Sequence, residues 1–323
     1  MLNVALIGAG RFGKNHIRVI NGNKNSKLCC VVDNVYRDYI DPNIYLKNFY
    51  EFIELKNKMQ IDCAIVATPA NMHCNMASNL LGNEVHVLCE KPLSLTECGA
   101  FVLHKIANKN NLVLKTGYTF LNNSVFKEIE KIFNSKEFGK PIAFFSTRNN
   151  YGPIREDVGV IYDLMTHDIA ILSSLLECLP TEIQTNKMNF NSNRYEDIAT
   201  INMKYDDMGF FASCSATWLC PVKERTIKII GSKMMIEWID GDKFPLRLYY
   251  APKEFSDYRE YSDFLLNSSS TYKEMICPTI LEKEPLSVQF DDFITDCVEN
   301  SVGKYEKIDS IVSHILERAN NDD

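Results

Sequence analysis

The sequence predicts a two-part α/β protein: a parallel sheet wrapped by helices, followed by an α+β region built on a mainly antiparallel open sheet. Three observations predict it. Up to about residue 120, short β-rich runs alternate with longer amphipathic stretches, the pattern of a parallel sheet covered on both faces. After Gly117 that rhythm stops, and strand-like segments follow one another across short turns, as antiparallel pairing requires. The 323 residues also exceed one ordinary core, since domains run to about 100–200 residues. The expected division is 1–119 and 120–323.

In the first part the predicted strands are 3–8, 27–33, 61–68, 85–90 and 112–116. Helical spacing falls at 12–22, 47–58, 72–82 and 95–109. Ser94-Leu95-Thr96-Glu97 reads as a capping box opening the last of these helices. In the second part a helix is expected near 121–134, a strand at 142–149 and a strongly periodic helix at 160–177. Strands follow near 181–190, 197–205, 209–218, 223–231 and 233–239. Residues 252–285 read as irregular, and helices near 286–300 and 307–319 close the sequence.

Composition narrows the function. With 46% hydrophobic and 24% charged residues the chain is an ordinary globular protein, and a net charge of −7 offers no basic field for nucleic acid. An anionic ligand must therefore be held by local groups. The 11 cysteines are scattered without a CxxC pair, so neither a metal site nor a disulfide framework is expected. No apolar run approaches the roughly 20 residues of a membrane span. The start lacks a signal-peptide pattern, and the expected location is the cytoplasm.

Gly8-Ala9-Gly10-Arg11-Phe12-Gly13 follows the first strand and opens the first helix, the context in which GxGxxG binds a dinucleotide in a Rossmann domain. The first glycine makes the turn, the second admits the pyrophosphate, and the third lets helix and sheet pack closely. Asp33 ends the second strand, where a carboxylate binds the adenosine ribose hydroxyls and repels a 2′-phosphate. NAD is therefore expected as cofactor. Arg37, four residues on, is the competing signal for a phosphate.

Two further motifs lie at strand carboxyl ends, where open α/β sheets bind ligands: Thr68-Pro69 with His73, and Glu90-Lys91-Pro92. Taken in order with GxGxxG and His16, they resemble the glucose–fructose oxidoreductase / inositol dehydrogenase / MocA family. The resemblance covers nearly the whole chain, and the Glu-Lys-Pro element is its most specific part. It implies an N-terminal Rossmann domain and a C-terminal α/β domain whose sheet face lines the substrate site. It also implies that Lys91 contacts the reacting hydroxyl near the nicotinamide and that Pro92 follows a cis peptide. His16 and His73 match family positions and are expected to support loops beside the cofactor.

On the 160–177 helix, Ile161, Leu164, Met165, Ile169, Leu172, Leu175 and Leu176 make one apolar face. Asp163 and His167 fall together on the opposite one. A carboxylate one turn away can orient an imidazole, and a solvated ion pair has the same spacing. The family resemblance favours the catalytic version. Asp168 points to the apolar face and is expected to be structural. His86, His104 and His314 are read as structural too.

The turn-rich segment Arg148 to Gly159 is expected to cover the cleft as a substrate loop, with Tyr151 and Arg155 as substrate contacts. The run Thr217 to Arg225 resembles the nucleotide-sugar branch of the family. Lys223 and Arg225 then share a strand face, either toward a diphosphate or as a charged outer face.

The expected activity is NAD-dependent oxidation of a secondary sugar hydroxyl, with a UDP-N-acetylhexosamine or related uronic acid oxidised at C3 as first substrate. His167 is expected as general base and acid with Asp163 orienting it, and Lys91 on the same oxygen. The two cationic groups can exchange roles, as coupled titrations allow. The alternatives are an inositol, polyol or aldose dehydrogenase and a non-catalytic dinucleotide-binding regulator. The partners expected are a small sugar or nucleotide sugar and, by resemblance, copies of the same chain in a homodimer or homotetramer.

Overall fold

A computed structural model describes residues 1–191, 194–250, 273–276 and 283–322. The chain divides into two compact units. The first gathers Met1–Asn122, Arg155–Cys178 and Lys283–Asp322; the second is built from Asn123–Ile154 and Leu179–Glu282.

The first unit carries a parallel sheet of six strands: β1 (Leu2–Ile7), β2 (Ser26–Val32), β3 (Tyr45–Leu46), β4 (Cys63–Val66), β5 (His86–Cys89) and β6 (Leu114–Thr116), in the order β3-β2-β1-β4-β5-β6. The order reverses between β1 and β4, so a crevice opens there at the strand carboxyl ends. Alternate residues of β1 serve opposite faces, as the period of two demands. Ala5 and Ile7 join Phe52 of α2 (Phe49–Leu55) and Leu80, Leu81, Ala100 and Leu103 of α3 (Ala70–Gly82) and α4 (Glu97–Lys109). Val4 and Leu6 join Val19 and Ile20 of α1 (Gly13–Gly22).

That second face is completed by α7 (Pro285–Glu299), whose Leu286, Phe290, Phe293 and Ile294 enter the same cluster. Phe290 and Phe293 are fully buried, each contributing about 1.5–3 kcal/mol. The far C-terminal sequence thus builds the first unit, although the division at residue 119 groups it with the second half. The last helix, α8 (Glu306–Asn321), docks on α4 through polar ties: His104 Nε2 to Asp309 at 2.8 Å and His314 Nδ1 to Glu97 at 2.9 Å.

The capping box needs correction. Thr96, not Ser94, is the N-cap of α4 and accepts from the Gly99 amide at 3.1 Å. Ser94 Oγ accepts from the Thr96 amide, and Glu97 is drawn away to His314.

The second unit contains α5 (Ser124–Phe133) and a sheet of eight strands: β7 (Pro141–Tyr151), β8 (Glu182–Met188), β9 (Ile198–Tyr205), β10 (Phe210–Thr217), β11 (Leu219–Gly231), β12 (Met234–Ile239), β13 (Leu246–Tyr250) and β14 (Lys273–Ile276). All neighbours are antiparallel except β7 and β10. One face is buried, carrying Phe144, Ala212, Cys214, Ile201, Ile229 and Ile236, while Phe145 and Phe211 stand exposed on the other. Two expectations change here. β11 starts at Leu219 and tolerates a register shift before Glu224, and β13 was not expected at all. Within 252–285, read as irregular, Lys273–Ile276 is a strand; most of the other residues there lie outside those described.

Candidate active site

The glycine loop is built by contacts that only glycine allows. Gly8 has φ +93°, and a Cβ there would lie 2.6 Å from the Ala67 carbonyl oxygen. A Cβ on Gly13 would meet the Gly8 oxygen at 2.3 Å, so α1 packs tightly on the turn. Gly10 is different, because a Cβ there meets nothing within 4 Å among the described residues. Its backbone faces open space, with Arg11 and Phe12 exposed beside it and Phe12 edge-on to His16.

Asp33, just past β2, is fixed against this loop. Its Oδ2 accepts from the Ala9 amide at 2.6 Å and its Oδ1 from the Val35 amide at 2.8 Å. Arg37 lies 2.9 Å from the same Oδ2, so the group that competes for a phosphate is paired with the carboxylate that opposes one. Thr68 Oγ1 is buried with no hydrogen-bond partner among the described residues. An open glycine backbone, an adjacent carboxylate and an orphaned hydroxyl fit a dinucleotide with free ribose hydroxyls.

Past β5, Glu90 is buried and its Oε1 lies 2.8 Å from Nε2 of the fully buried His16. Gly117 leaves room for that carboxylate, since a Cβ there would approach Oε2 to 2.9 Å. The Lys91–Pro92 peptide is cis. His73 spans two strand ends, with Nδ1 2.7 Å from the Pro92 carbonyl and Nε2 2.9 Å from that of Thr68. Burial pushes its pKa down against those carbonyls. His73 thus holds the backbone around the motifs, and His16 holds the Glu90 side chain. Pro69 is exposed at the start of α3.

Lys91 is half-buried, and its Nζ reaches Asp163, donating to the backbone carbonyl and lying 3.3 Å from Oδ1. The same Oδ1 lies 3.2 Å from Arg155 Nη1. Arg155 then grips Asp157 with Nε at 2.8 Å and Nη2 at 2.6 Å, and Asp157 Oδ2 accepts from the Ala70 amide at 2.8 Å. Two cations and two carboxylates alternate along this chain. Burial opposes ionisation of Asp157, but Arg155 and the Ala70 amide outweigh it and hold its carboxyl below the usual range.

The helix carrying Asp163 and His167 is not uniform. Ile161–Met165 form a π-helical turn and α6 (Thr166–Leu176) begins after it, so α-helical i,i+4 spacing does not run through Asp163. Both residues nevertheless stay accessible. From Val158 to Ser173 every residue is buried except these two. His167 stands edge-on to Phe120 at 5.0 Å, a neighbour that sequence periodicity does not reveal. Tyr162 seats the turn by donating to the Leu95 carbonyl at 2.7 Å, and Asp168 is buried as expected.

The other expected substrate contacts are placed differently. Arg155 is held by two carboxylates, and Arg225 lies 3.1 Å from Asp240. Lys223 and Tyr151 are exposed in the second unit. Asp157 has no periodic signal and was missed as a functional neighbour.

Residues 2–118 match the family described as "Oxidoreductase family, NAD-binding Rossmann fold", and residues 126–237 match its "GFO/IDH/MocA C-terminal domain". The chain is 25% identical over 151 residues to the 2,7-anhydro-N-acetylneuraminate hydratase of Escherichia coli K12, covering 47% of this chain and 41% of that one. The matches span about half or less of the first curated relatives. Among solved structures, the UDP-N-acetylglucosamine 3-dehydrogenase of Acidithiobacillus ferrooxidans superposes with a TM-score of 0.76 at 18% identity, covering 99% and 96% of the two chains. An inositol dehydrogenase homologue of Azotobacter vinelandii gives 0.79 at 18%, covering 98% and 95%. Two domain matches in family order, on a fold with this glycine loop, establish that the chain belongs to the GFO/IDH/MocA oxidoreductase family, with an NAD-binding Rossmann domain at its N-terminus.

Proposed function

We propose that the chain is an NAD-dependent dehydrogenase that oxidises a secondary hydroxyl of a sugar to a ketone. The observation that carries this reading is Lys91, just past β5, held at 3.3 Å from Asp163 in the same unit as His167. In that reading Gly8, Gly10, Gly13, Asp33 and Thr68 hold the dinucleotide. NAD, when bound, supplies the two-electron acceptor. Lys91 donates a hydrogen bond to the reacting oxygen and stabilises negative charge developing there. His167 takes the hydroxyl proton. Asp163 fixes Lys91 rather than the imidazole alone, since its oxygen is shared between Lys91 and Arg155.

For the substrate we propose a UDP-linked N-acetylhexosamine or uronic acid oxidised at C3. The fold likeness to a UDP-N-acetylglucosamine 3-dehydrogenase and the Thr217 to Arg225 run support it. Of the cations expected at the substrate, Arg155 and Arg225 are ion-paired and Lys223 is exposed. A cyclic polyol is the second reading, supported by the likeness to inositol dehydrogenases. Self-association belongs to the same proposal, through the sheet face that exposes Phe145 and Phe211.

The test is NADH formation from UDP-N-acetylglucosamine, its uronic acid, free N-acetylglucosamine and myo-inositol. Activity confined to the nucleotide sugars supports the substrate assignment. Activity on inositol alone removes it, and tight NADH binding with no turnover on any of them favours a dinucleotide-binding regulator.

A further inference from the structure

We infer that Arg155 and Asp157 are a positioning pair that locks Asp163, and through it Lys91, to the start of α3. This deepens the dehydrogenase reading and rests on it.

α3 begins at Ala70 behind Pro69, whose side chain has no acceptor for the first amides of the helix. Asp157 supplies that acceptor from 87 residues away, at 2.8 Å from the Ala70 amide. The same carboxylate receives two parallel bonds from Arg155, a planar fork that sets the guanidinium in one orientation. The remaining arm of the fork then reaches Asp163 at 3.2 Å, on the oxygen that Lys91 approaches at 3.3 Å. Arg155 is thus committed on three nitrogens. A guanidinium used in this way serves geometry rather than an incoming anion, because releasing it to a diphosphate would take from Asp157 and Asp163 the cation they share.

The Thr68-Pro69 loop, the Glu90-Lys91-Pro92 element and Asp163 come from separate stretches of sequence, and this clasp gives them one shared reference. Lysine in place of arginine keeps the charge but not the fork.

The experiment is a double-mutant cycle on the full-length protein with Arg155→Gln, Asp157→Asn and the double variant, plus Arg155→Lys, measured for turnover and for NADH affinity by fluorescence titration. Each single variant is expected to lower kcat about 10- to 100-fold with the sugar KM within about threefold, as loss of position rather than of binding would. The double variant should be no worse than the poorer single, and Arg155→Lys should recover only part of the loss. NADH Kd should weaken by a similar factor in both singles and in the double. Effects that multiply, or a raised KM with intact kcat in Arg155→Gln, would overturn the pair; the second result would make Arg155 a substrate ligand. If the wild type oxidises no sugar alcohol, the dehydrogenase reading fails by itself. The pair is then judged on NADH affinity, where unchanged or multiplying Kd values overturn it.

Discussion

Lys91 Nζ lies 3.3 Å from Oδ1 of Asp163, two residues 72 apart in sequence, and also donates to the Asp163 backbone carbonyl. An ammonium anchored twice to one residue gives up rotamer freedom before any substrate arrives, so its donor direction is set in advance. Replacing Lys91 with Ala should lower turnover by about 100-fold or more, and so should His167→Ala, while NADH affinity changes little. Asp168→Asn, at a buried carboxylate, should act mainly on stability. Steady-state kinetics beside melting curves checks this. Near-normal turnover in His167→Ala, with loss in well-folded Asp168→Asn, would reverse the assignment.

The glycines of the loop should separate folding from binding. Gly8→Ala forces a side chain onto a positive φ and to within 2.6 Å of backbone, so the folded protein should be strongly destabilised. Gly10→Ala has room in the free protein and should keep its melting temperature, yet its methyl occupies the space that the second glycine leaves for a pyrophosphate. Thermal unfolding with NADH titration reads both. An unstable Gly10→Ala, or one that binds NADH normally, would contradict this account of the loop.

Asp33 has two jobs that one substitution can expose. Its carboxylate holds the Ala9 amide at 2.6 Å and neutralises Arg37 at 2.9 Å. Asp33→Ser should weaken NAD, release Arg37 and improve NADP. Paired NADH and NADPH titrations measure the ratio, and a wild type that prefers NADPH would refute the selectivity argument.

The first unit was legible where its signals are local. The strand-and-helix alternation and the glycine turn state their structure within a few residues, so β1, α1 and β5 follow from the sequence, while the cis Lys91–Pro92 bond is what the family resemblance implies. The remainder depends on which surfaces meet. Periodicity shows that residues 286–300 have an apolar face, but not that Phe290 and Phe293 complete the β1 sheet rather than the second one. It assigns Asp163 and His167 to a shared face but cannot anticipate the π turn, whose extra residue moves the carboxylate relative to the imidazole. Asp157 capping Ala70 leaves no pattern in the sequence, because the capping signal is written for a neighbour and this cap comes from a distant segment.

A buried lysine makes the last prediction. Lys115 on β6 is only 3% exposed, lies 3.9 Å from both Asp292 and Asp296, and sits over the Tyr305 ring; Lys304 and the Tyr305 hydroxyl share Asp296 with it. Burial lowers its pKa from 10.5 to about 8, against the pull of the two aspartates. Between those values the unfolded chain keeps a proton that the folded protein has released, so this group adds stability as pH rises through the window and adds none below it. Lys115→Met removes the titration and leaves Asp292 and Asp296 without that cation, while filling most of the same volume. Urea unfolding at a series of pH values from neutral to about 10.5 should therefore show a shallower rise, or a steeper fall, in the variant than in the wild type. Parallel pH profiles for the two proteins would show that Lys115 keeps its charge in the fold throughout, and that the aspartates outweigh its burial.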